Sequence, residues 1–454
     1  MQQNQRLLSL TWPVLIELLL AFTVSTAGMW LAGKHGGQEQ AVYSLGNQVF
    51  HFFFILFRVI SMGLSVVVSQ YLGARNHEAA RATAFAAIGA NTAMAFVLIS
   101  LLIFGAPWWL SGLNTPSDIL PRSQAYLYVL AMALLLDSYL VSFAAVLRAH
   151  LHSRHTMLIA VLAQTTHLLF AYLLMHYAGL GVMGFALAMI ASRVLGVLLV
   201  IKLWRTLLNY HPQFKDCWQL TAIQRALLTP VLAVGIPGAV EAATYRFAVL
   251  VTVALVGALG TEALALHAAV FQCASFGAFL VFALGFAAEL KLGHLIGAGE
   301  FKRAYALVKT ALWVCILLGV GMGLISALLA PISLKALSQP DKLLPLGQTL
   351  MFINIALEIG RASNILLVNA LRAVGDARFT LHMSVPTILF FMAGGAWLFT
   401  GQWQWGLIGI WLAYTIDELV RGAVNAYRWF SLAWLPRAII THKAAQIGKT
   451  TMPQ

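Results

Sequence analysis

The feature that most constrains this chain is a series of long apolar segments, each of about 20 or more residues and therefore long enough to cross a bilayer as a helix. Twelve such segments lie at roughly 9–33, 42–72, 83–110, 123–147, 156–178, 181–204, 226–256, 263–297, 305–330, 344–371, 379–400 and 406–431. A bilayer offers the backbone no hydrogen-bond partners, so these spans must be helical. Transmembrane β-barrels alternate polar and apolar residues instead. The sequence therefore predicts an all-α polytopic membrane protein with twelve transmembrane helices.

The composition excludes the other broad classes of protein. Hydrophobic residues make up 61% of the 454 residues and charged residues only 9%, whereas soluble domains carry about 25% charged residues. This excludes a soluble enzyme and a disordered chain. The three cysteines, Cys217, Cys273 and Cys315, do not form a secreted disulfide scaffold, and two of them lie in apolar segments as small buried side chains.

The excess of basic residues, 28 Lys and Arg against 15 Asp and Glu, is explained by membrane topology rather than by nucleic-acid binding. Basic residues concentrate in the cytoplasmic loops of membrane proteins. The loops on the side away from the termini contain only Lys34, Arg122, Lys335 and Lys342, and the remaining loop residues of this type lie on the side of the termini. We therefore predict that both termini are cytoplasmic. The N-terminal segment has no small-residue cleavage site, so we do not expect a signal peptide.

The chain contains an internal repeat of six spans. Pro13 and Glu17 recur as Pro237 and Glu241, an offset of 224 residues. Further pairs at this offset are Gly33 and Gly257, Gln48 and Gln272, Arg148 and Arg372, and Thr156 and Thr380. Six is an even number, so both repeats enter the membrane in the same direction, as in parallel-repeat transporters. We predict an N-terminal six-helix lobe at 1–206, a cytoplasmic linker at 207–225, a C-terminal six-helix lobe at 226–435 and a cytoplasmic tail at 436–454.

Several motifs resemble those of the multidrug and toxic compound extrusion (MATE) family, and the resemblance covers nearly the whole chain. They are the prolines of the first and seventh helices, Ser-Gln-Tyr-Leu-Gly-Ala at 69–74, Gly-Ala-Gly at 297–299 and Leu-Arg-Ala-Val-Gly-Asp at 371–376. The last is similar to the family's turn before its eleventh helix. One position departs from the family pattern. Gly28 stands where many members carry an Asp, so the usual ion site of the N-terminal lobe cannot be transferred to this chain.

The resemblance implies a secondary active antiporter that exports amphipathic, often cationic, drugs or toxic organic compounds in exchange for H⁺ or Na⁺ by alternating access. It implies no enzyme activity and no cofactor, with small amphipathic substrates and the lipid bilayer as partners. The expected location is the plasma (inner) membrane of a bacterium or archaeon, and two lobes in one chain make a monomer sufficient. A lipid-linked oligosaccharide flippase of the same broader superfamily is the alternative. Such proteins line a cavity with cationic residues, and Arg58, Arg246 and Arg361 leave this open.

Ionisable residues inside the spans are the candidates for substrate binding and ion coupling, because each costs about 2.5–3.5 kcal/mol at the bilayer centre. Glu17 and Glu241 each follow a helix proline by one turn, where the proline frees backbone groups. Either these carboxylates bind the coupling ion, or they lie near the cytoplasmic interface at the helix ends. The sequence leaves both interpretations open.

A second set of candidates lies in the fourth and tenth spans. Asp137 matches Arg361 through the repeat with opposite charge, and Glu358 shares a helix face with Arg361 at a spacing of three residues. We hypothesise that these three residues form a central polar cluster that exchanges protons or a cationic substrate. A static buried ion pair is the alternative. Substituting Asp137→Asn or Glu358→Gln is expected to abolish coupled export.

Motifs for other chemistries are missing from the sequence. His150, His152 and His155 lie in a basic loop without Cys or carboxylate residues, so we do not expect a metal site there. The sequence has no P-loop, HExxH or GxSxG motif, and nothing in it indicates ATP-driven transport or hydrolysis.

Overall fold

A computed structural model describes residues 7–113, 115–210, 222–337 and 340–447, apart from the side chains of 55, 58 and 222–224. These described residues form helices and no strands. The helices are α1 (Leu7–Lys34), α2 (Gly37–Gly73), α3 (His77–Gly112), α4 (Leu120–Ala149), α5 (Ser153–Tyr177), α6 (Val182–Leu207), α7 (Ala222–Ala258), α8 (Thr261–Gly297), α9 (Phe301–Ala336), α10 (Leu344–Ala373), α11 (Ala377–Gln402), α12 (Gly406–Phe430) and α13 (Leu435–Ile447). α1 to α12 correspond in order to the twelve predicted spans, and most begin several residues earlier than the apolar segments do.

Ten of these helices are long and apolar enough to span a membrane individually. α2 qualifies as a bent pair, Gly37–Phe54 and Val59–Gly73, with a bend of 40°. α12 carries Asp417, Glu418 and Arg421, which lower its hydropathy, but all three side chains are buried. Its 25 residues extend about 38 Å at 1.5 Å per residue, which exceeds the roughly 30 Å of the hydrocarbon core. α12 is therefore long enough to be the twelfth span.

The described residues divide into two compact units. The N-terminal unit comprises described residues within 16–72 and 76–236, and the C-terminal unit comprises those within 7–15, 73–75 and 237–447. In the N-terminal unit α3 packs on α4, α5 on α6 and α4 on α6. In the C-terminal unit α10 is central and packs on α8, α9 and α12. The predicted lobe boundaries remain predictions, and residues 211–221 of the predicted linker lie outside the described part of the chain.

Four loops that the repeat relates in pairs have the same helix-ending geometry. Each has a 6→1 backbone hydrogen bond of the Schellman type: Asn76 N to Tyr71 O at 2.8 Å, His152 N to Leu147 O at 2.9 Å, Glu300 N to Leu295 O at 2.8 Å and Asp376 N to Leu371 O at 2.8 Å. The left-handed position is Gly299 or Gly375 in the second half, and Arg75 or Leu151 in the first. The loop at 147–152 lacks the Gly-Asp of its repeat counterpart at 371–376, but it keeps the same turn.

Two glycines of the N-terminal unit allow a close backbone contact between α2 and α7. A Cβ atom added at Gly63 of α2 would collide with the Val231 carbonyl of α7, and one added at Gly235 of α7 would collide with the Val59 carbonyl of α2. Only glycine permits backbones to approach this closely, a common device where membrane helices cross. The two glycines therefore fix where the start of α7 packs within this unit.

Candidate functional site

The helices of both units carry charged residues along their length. Of the candidates from the sequence, Glu17 and Asp137 belong to the N-terminal unit, and Glu241, Glu358 and Arg361 belong to the C-terminal unit.

The C-terminal unit contains a group of buried charged side chains, here called the acidic cluster. Its members are the carboxylates Glu241, Glu289, Glu358, Asp417 and Glu418 and the guanidiniums Arg361, Arg372 and Arg421. They come from α7, α8, α10 and α12. All eight side chains are no more than 8% exposed as residues, so the environment of each charge is set by protein rather than by solvent.

Arg421 links the α12 carboxylates to α7. It lies 2.6 Å from Asp417 and 2.9 Å from Glu418, at the i,i+4 and i,i+3 spacings of its own helix. Its second terminal nitrogen lies 4.0 Å from Glu241. Glu241 also accepts a 2.6 Å hydrogen bond from Arg372 of α10. Three helices are therefore joined through two arginines.

The α10 side of the cluster is built from a pair that the sequence predicted. Arg361 donates to Glu358 one helical turn earlier, a contact that the i,i+3 spacing allows. Arg361 also lies within electrostatic range of Glu418. Asn364 of α10 donates to Glu418 at 2.8 Å and accepts from Asn425 at 3.1 Å. Polar contacts thus run continuously along the interface of α10 and α12.

A narrow pocket opens beside this interface. The lining residues are Tyr245, Phe271, Leu357, Arg361, Met392, Trp411, Tyr414, Asp417 and Glu418. Four are aromatic and two are carboxylates. The open space holds about one water-sized sphere. Aromatic faces and carboxylates both attract cations, and the effect of an aromatic face is strongest where water is excluded.

The charges of the acidic cluster do not balance. Its five carboxylates face three guanidiniums, so the fully ionised cluster carries a net charge of −2. Three carboxylate oxygens of the cluster, Glu289 Oε1, Glu358 Oε2 and Asp417 Oδ1, are buried without a hydrogen-bond partner among the described residues, as is Asp137 Oδ2 in the N-terminal unit. Buried charge without compensation is strongly unfavourable. The arrangement can therefore take up protons or cations.

The N-terminal unit has a counterpart of one of these ion pairs. Glu17 lies 3.2 Å from Arg148 and accepts a 2.7 Å hydrogen bond from Thr156. Glu17 and Arg148 match Glu241 and Arg372 through the repeat, so the same ion pair joins the first and fourth helices of each half. Arg148 lies in the last turn of α4. This position agrees with the interpretation of Glu17 as a carboxylate near a helix end.

Asp137 has its partner within its own unit. Arg193 of α6 lies 2.6 Å from Asp137 of α4. With the offset of 225 that applies in the last span, Arg193 matches Glu418, and Asp137 matches Arg361 at 224. Equivalent positions of the two units therefore carry charges of opposite sign. The structure brings Glu358 and Arg361 together. Their predicted grouping with Asp137 remains a prediction.

The position of Gly28 is filled by aromatic side chains. A Cβ atom there would collide with the Tyr43 hydroxyl and the Phe185 ring. The Tyr43 hydroxyl donates to the Ser25 carbonyl at 3.0 Å, and His167 packs against Phe185 with ring centroids 4.4 Å apart. No side chain fits at Gly28 without rearrangement. The departure from the family's acidic position is therefore built into the packing of this unit.

Sequence reasoning did not assign partners to Arg193, Arg372 and Arg421, nor a site role to Glu289. The repeat could have indicated the partner of Arg372, because Glu17 and Arg148 recur as Glu241 and Arg372 at the same offset. Glu289 interrupts an apolar segment but has no charged mate in the repeat, where Ser65 stands. Within the described part of the chain, no group of three His, Cys, Asp or Glu residues is placed to hold a metal ion.

Comparisons with known proteins agree with this architecture. The sequence model of the MatE family matches residues 13–173 and 237–397, two segments that are also 224 residues apart. An uncharacterized transporter, YisQ of Bacillus subtilis, is 24% identical over 437 residues, 95% of either chain. The probable multidrug resistance protein NorM of Thermotoga maritima is 22% identical over 451 residues, 97% of this chain and 95% of that one.

Solved structures show the same fold. A mutant of the Vibrio cholerae MATE transporter VcmN superimposes with a TM-score of 0.84 at 17% identity, covering 95% of this chain and 98% of that one. At this identity the likeness concerns the fold alone. The shared fold and the match of the MatE family model to both halves of the chain confirm the resemblance drawn from the motifs. They also confirm the prediction of twelve helices in two six-helix repeats.

Proposed function

Because the chain belongs to the MATE family, whose members are transporters and not enzymes, we propose that it is an antiporter that exports amphipathic, cationic organic compounds in exchange for H⁺ or Na⁺. Alternating access would carry out the exchange. The observation that carries this proposal is the acidic cluster, with its unbalanced charge and its adjoining aromatic pocket.

The charge excess supports coupling to a cation. Neutralising the cluster requires two positive charges, which protons or Na⁺ would supply. A cationic substrate in the pocket would supply positive charge as well, so substrate and coupling ion would compete for the same carboxylates. Competition of this kind is what an exchange mechanism needs. The N-terminal unit gives less support, because Glu17 and Asp137 are each paired with an arginine, although Asp137 Oδ2 is also buried without a hydrogen-bond partner in the described part of the chain.

The pocket supports a cationic, partly apolar substrate. Tyr245, Phe271, Trp411 and Tyr414 line it together with Asp417 and Glu418. An organic cation gains from aromatic faces and from carboxylates at once, whereas an inorganic cation gains mainly from oxygen ligands. The pocket holds about one water-sized sphere in this conformation, so a drug-sized compound would require it to widen.

The pocket gives less support to a flippase for anionic, lipid-linked oligosaccharides. Its single guanidinium, Arg361, is paired with Glu358, and Asp417 and Glu418 would repel a phosphate. Arg246 is exposed on α7, and the side chain of Arg58 lies outside the described part of the chain. The export of cations therefore remains the proposal that the described residues favour.

We further propose a plasma (inner) membrane location in a bacterium or archaeon, with both termini in the cytoplasm. The asymmetry of basic residues between the two sets of loops supports this orientation. The presence of both repeats in one chain supports a functional monomer.

Transport into proteoliposomes tests the proposal. Ethidium is the probe, and a pH gradient or a Na⁺ gradient is imposed separately. We expect one of the two gradients to drive accumulation. The substitutions Glu358→Gln and Glu418→Gln are each expected to abolish it, because each removes an ionisable carboxylate from the cluster. Asp137→Asn tests whether the N-terminal unit also takes part.

Glu262→Gln is the matched control. Glu262 lies in the first turn of α8, where its exposed side chain pairs with Lys342 at 2.6 Å. This substitution should leave gradient-driven accumulation unchanged. Accumulation that neither gradient drives would contradict antiport. Full activity of both cluster variants would contradict the assignment of coupling to the acidic cluster.

A further inference from the structure

The helix α13, which follows the last span, is fixed to the C-terminal unit through a narrow inner face. Thr441 donates to the Val374 carbonyl at 3.1 Å, and His442 Nδ1 lies 2.9 Å from the Gly297 carbonyl. Ala438 is buried beside them. Val374 and Gly297 terminate α10 and α8. α13 therefore lies across the ends of two transmembrane helices.

The opposite face of α13 is both apolar and basic. Ile440 is 59% exposed and Ile439 is 37% exposed, and Arg437 and Lys443 are exposed as well. Arg437, Ile440 and Lys443 are three residues apart, which places them on one side of the helix. Ala438, Thr441 and His442 thus face the protein, and the two isoleucines face outwards. This is the reverse of the usual arrangement in a helix on the surface of a soluble protein.

We propose that the outer face of α13 is an interfacial anchor that binds anionic phospholipids. Its isoleucines would enter the boundary between headgroups and acyl chains, and Arg437 and Lys443 would contact lipid phosphates. The charge pattern supports this occupant, because residues 435–454 contain no Asp or Glu. The anchor would hold the loops that end α8 and α10 against the membrane surface. It does not depend on which substrate or ion the protein transports.

The test places an environment-sensitive label on the outer face. Ile440→Cys is introduced into the full chain after replacement of Cys217, Cys273 and Cys315, and is labelled with NBD. We expect blue-shifted emission in vesicles that contain phosphatidylglycerol, and quenching by brominated acyl chains. Arg437→Gln with Lys443→Gln should lower the ratio of membrane-inserted to exposed label about 25-fold, or about fivefold for each basic residue.

Arg437→Lys with Lys443→Arg is the matched control, because it keeps both charges and should keep the insertion. Two outcomes would overturn the proposal. One is emission typical of water in vesicles that contain phosphatidylglycerol. The other is blue-shifted emission that brominated lipids do not quench and that increases with the ratio of protein to lipid. This result would identify a second copy of the chain as the occupant of the outer face.

Discussion

Removing Arg372 should destabilise the protein far more than removing its repeat counterpart, Arg148. Arg372 lies 2.6 Å from Glu241, and both side chains are 9% exposed. It also lies within electrostatic range of Glu289. Loss of one partner of a buried ion pair costs about 3–5 kcal/mol. Arg421, 4.0 Å from Glu241, offsets part of this loss, so we expect Arg372→Met to lower the free energy of unfolding by ~3 kcal/mol.

Arg148→Met is the matched comparison within the same molecule. Arg148 lies 3.2 Å from Glu17, and the side chains are 16% and 18% exposed. The longer distance and greater exposure reduce the expected loss to ~1 kcal/mol, near the upper end for exposed pairs. Arg372→Met combined with Glu241→Gln should recover part of the lost stability, because no unpaired ionised carboxylate remains at Glu241.

Unfolding in mixed micelles with increasing SDS would measure these differences. The Cys315 side chain is fully buried, so a fluorogenic maleimide reports unfolding in a chain that lacks the other two cysteines. The reasoning would be refuted if Arg372→Met cost no more than Arg148→Met. It would also be refuted if the double variant were as unstable as the sum of its single variants, because Arg372 and Glu241 would then be uncoupled.

Two further substitutions test other parts of the structure. Gly28→Ala should lower the free energy of unfolding by about 1–3 kcal/mol, the usual range for an overfilled core, because the added Cβ collides with Tyr43 and Phe185; an unchanged SDS midpoint would contradict this. In the loop before α5, burial and then the neighbouring His155 lower the pKa of His152. The folded state therefore disfavours protonated His152, and stability should decrease as the pH falls below the unfolded pKa of about 6.5. His152→Asn should reduce this dependence between pH 7.5 and 5, and an identical dependence in both proteins would count against it.

The order of the helices could be predicted from the sequence because apolar length is a one-dimensional property. The last span is the informative case. Asp417, Glu418 and Arg421 lower the hydropathy of α12, yet the length of the apolar segment at 406–431 already predicts a span. The structure supplies the physical reason, since all three side chains are buried within the unit. The bend in α2 has no equally clear signal, because no proline lies between 37 and 73.

The pairing of charges was harder to predict. The pairing of Glu358 with Arg361 could be predicted from the sequence, because both lie on one helix three residues apart. The pairing of Asp137 with Arg193 could not be predicted, because the two residues lie on different helices. Spacing along the chain does not give the rotation of α4 relative to α6. Only packing sets that rotation. The repeat matched Arg193 with Glu418 and Asp137 with Arg361, but correspondence between halves does not reveal contact within a half.

Comparison of the two units separates charges that belong to the common architecture from charges that do not. The pair of Glu17 with Arg148 recurs as Glu241 with Arg372, so the fold itself accounts for it. The other carboxylates of the acidic cluster have no acidic counterparts: Ser65, Leu134, Ser192 and Arg193 stand at the positions that match Glu289, Glu358, Asp417 and Glu418. Both units build the same six-helix fold, so the fold does not require these four carboxylates. Because buried, unbalanced carboxylates are costly, a function specific to the C-terminal unit is the reason we give for their presence, and cation coupling is the function their charge fits.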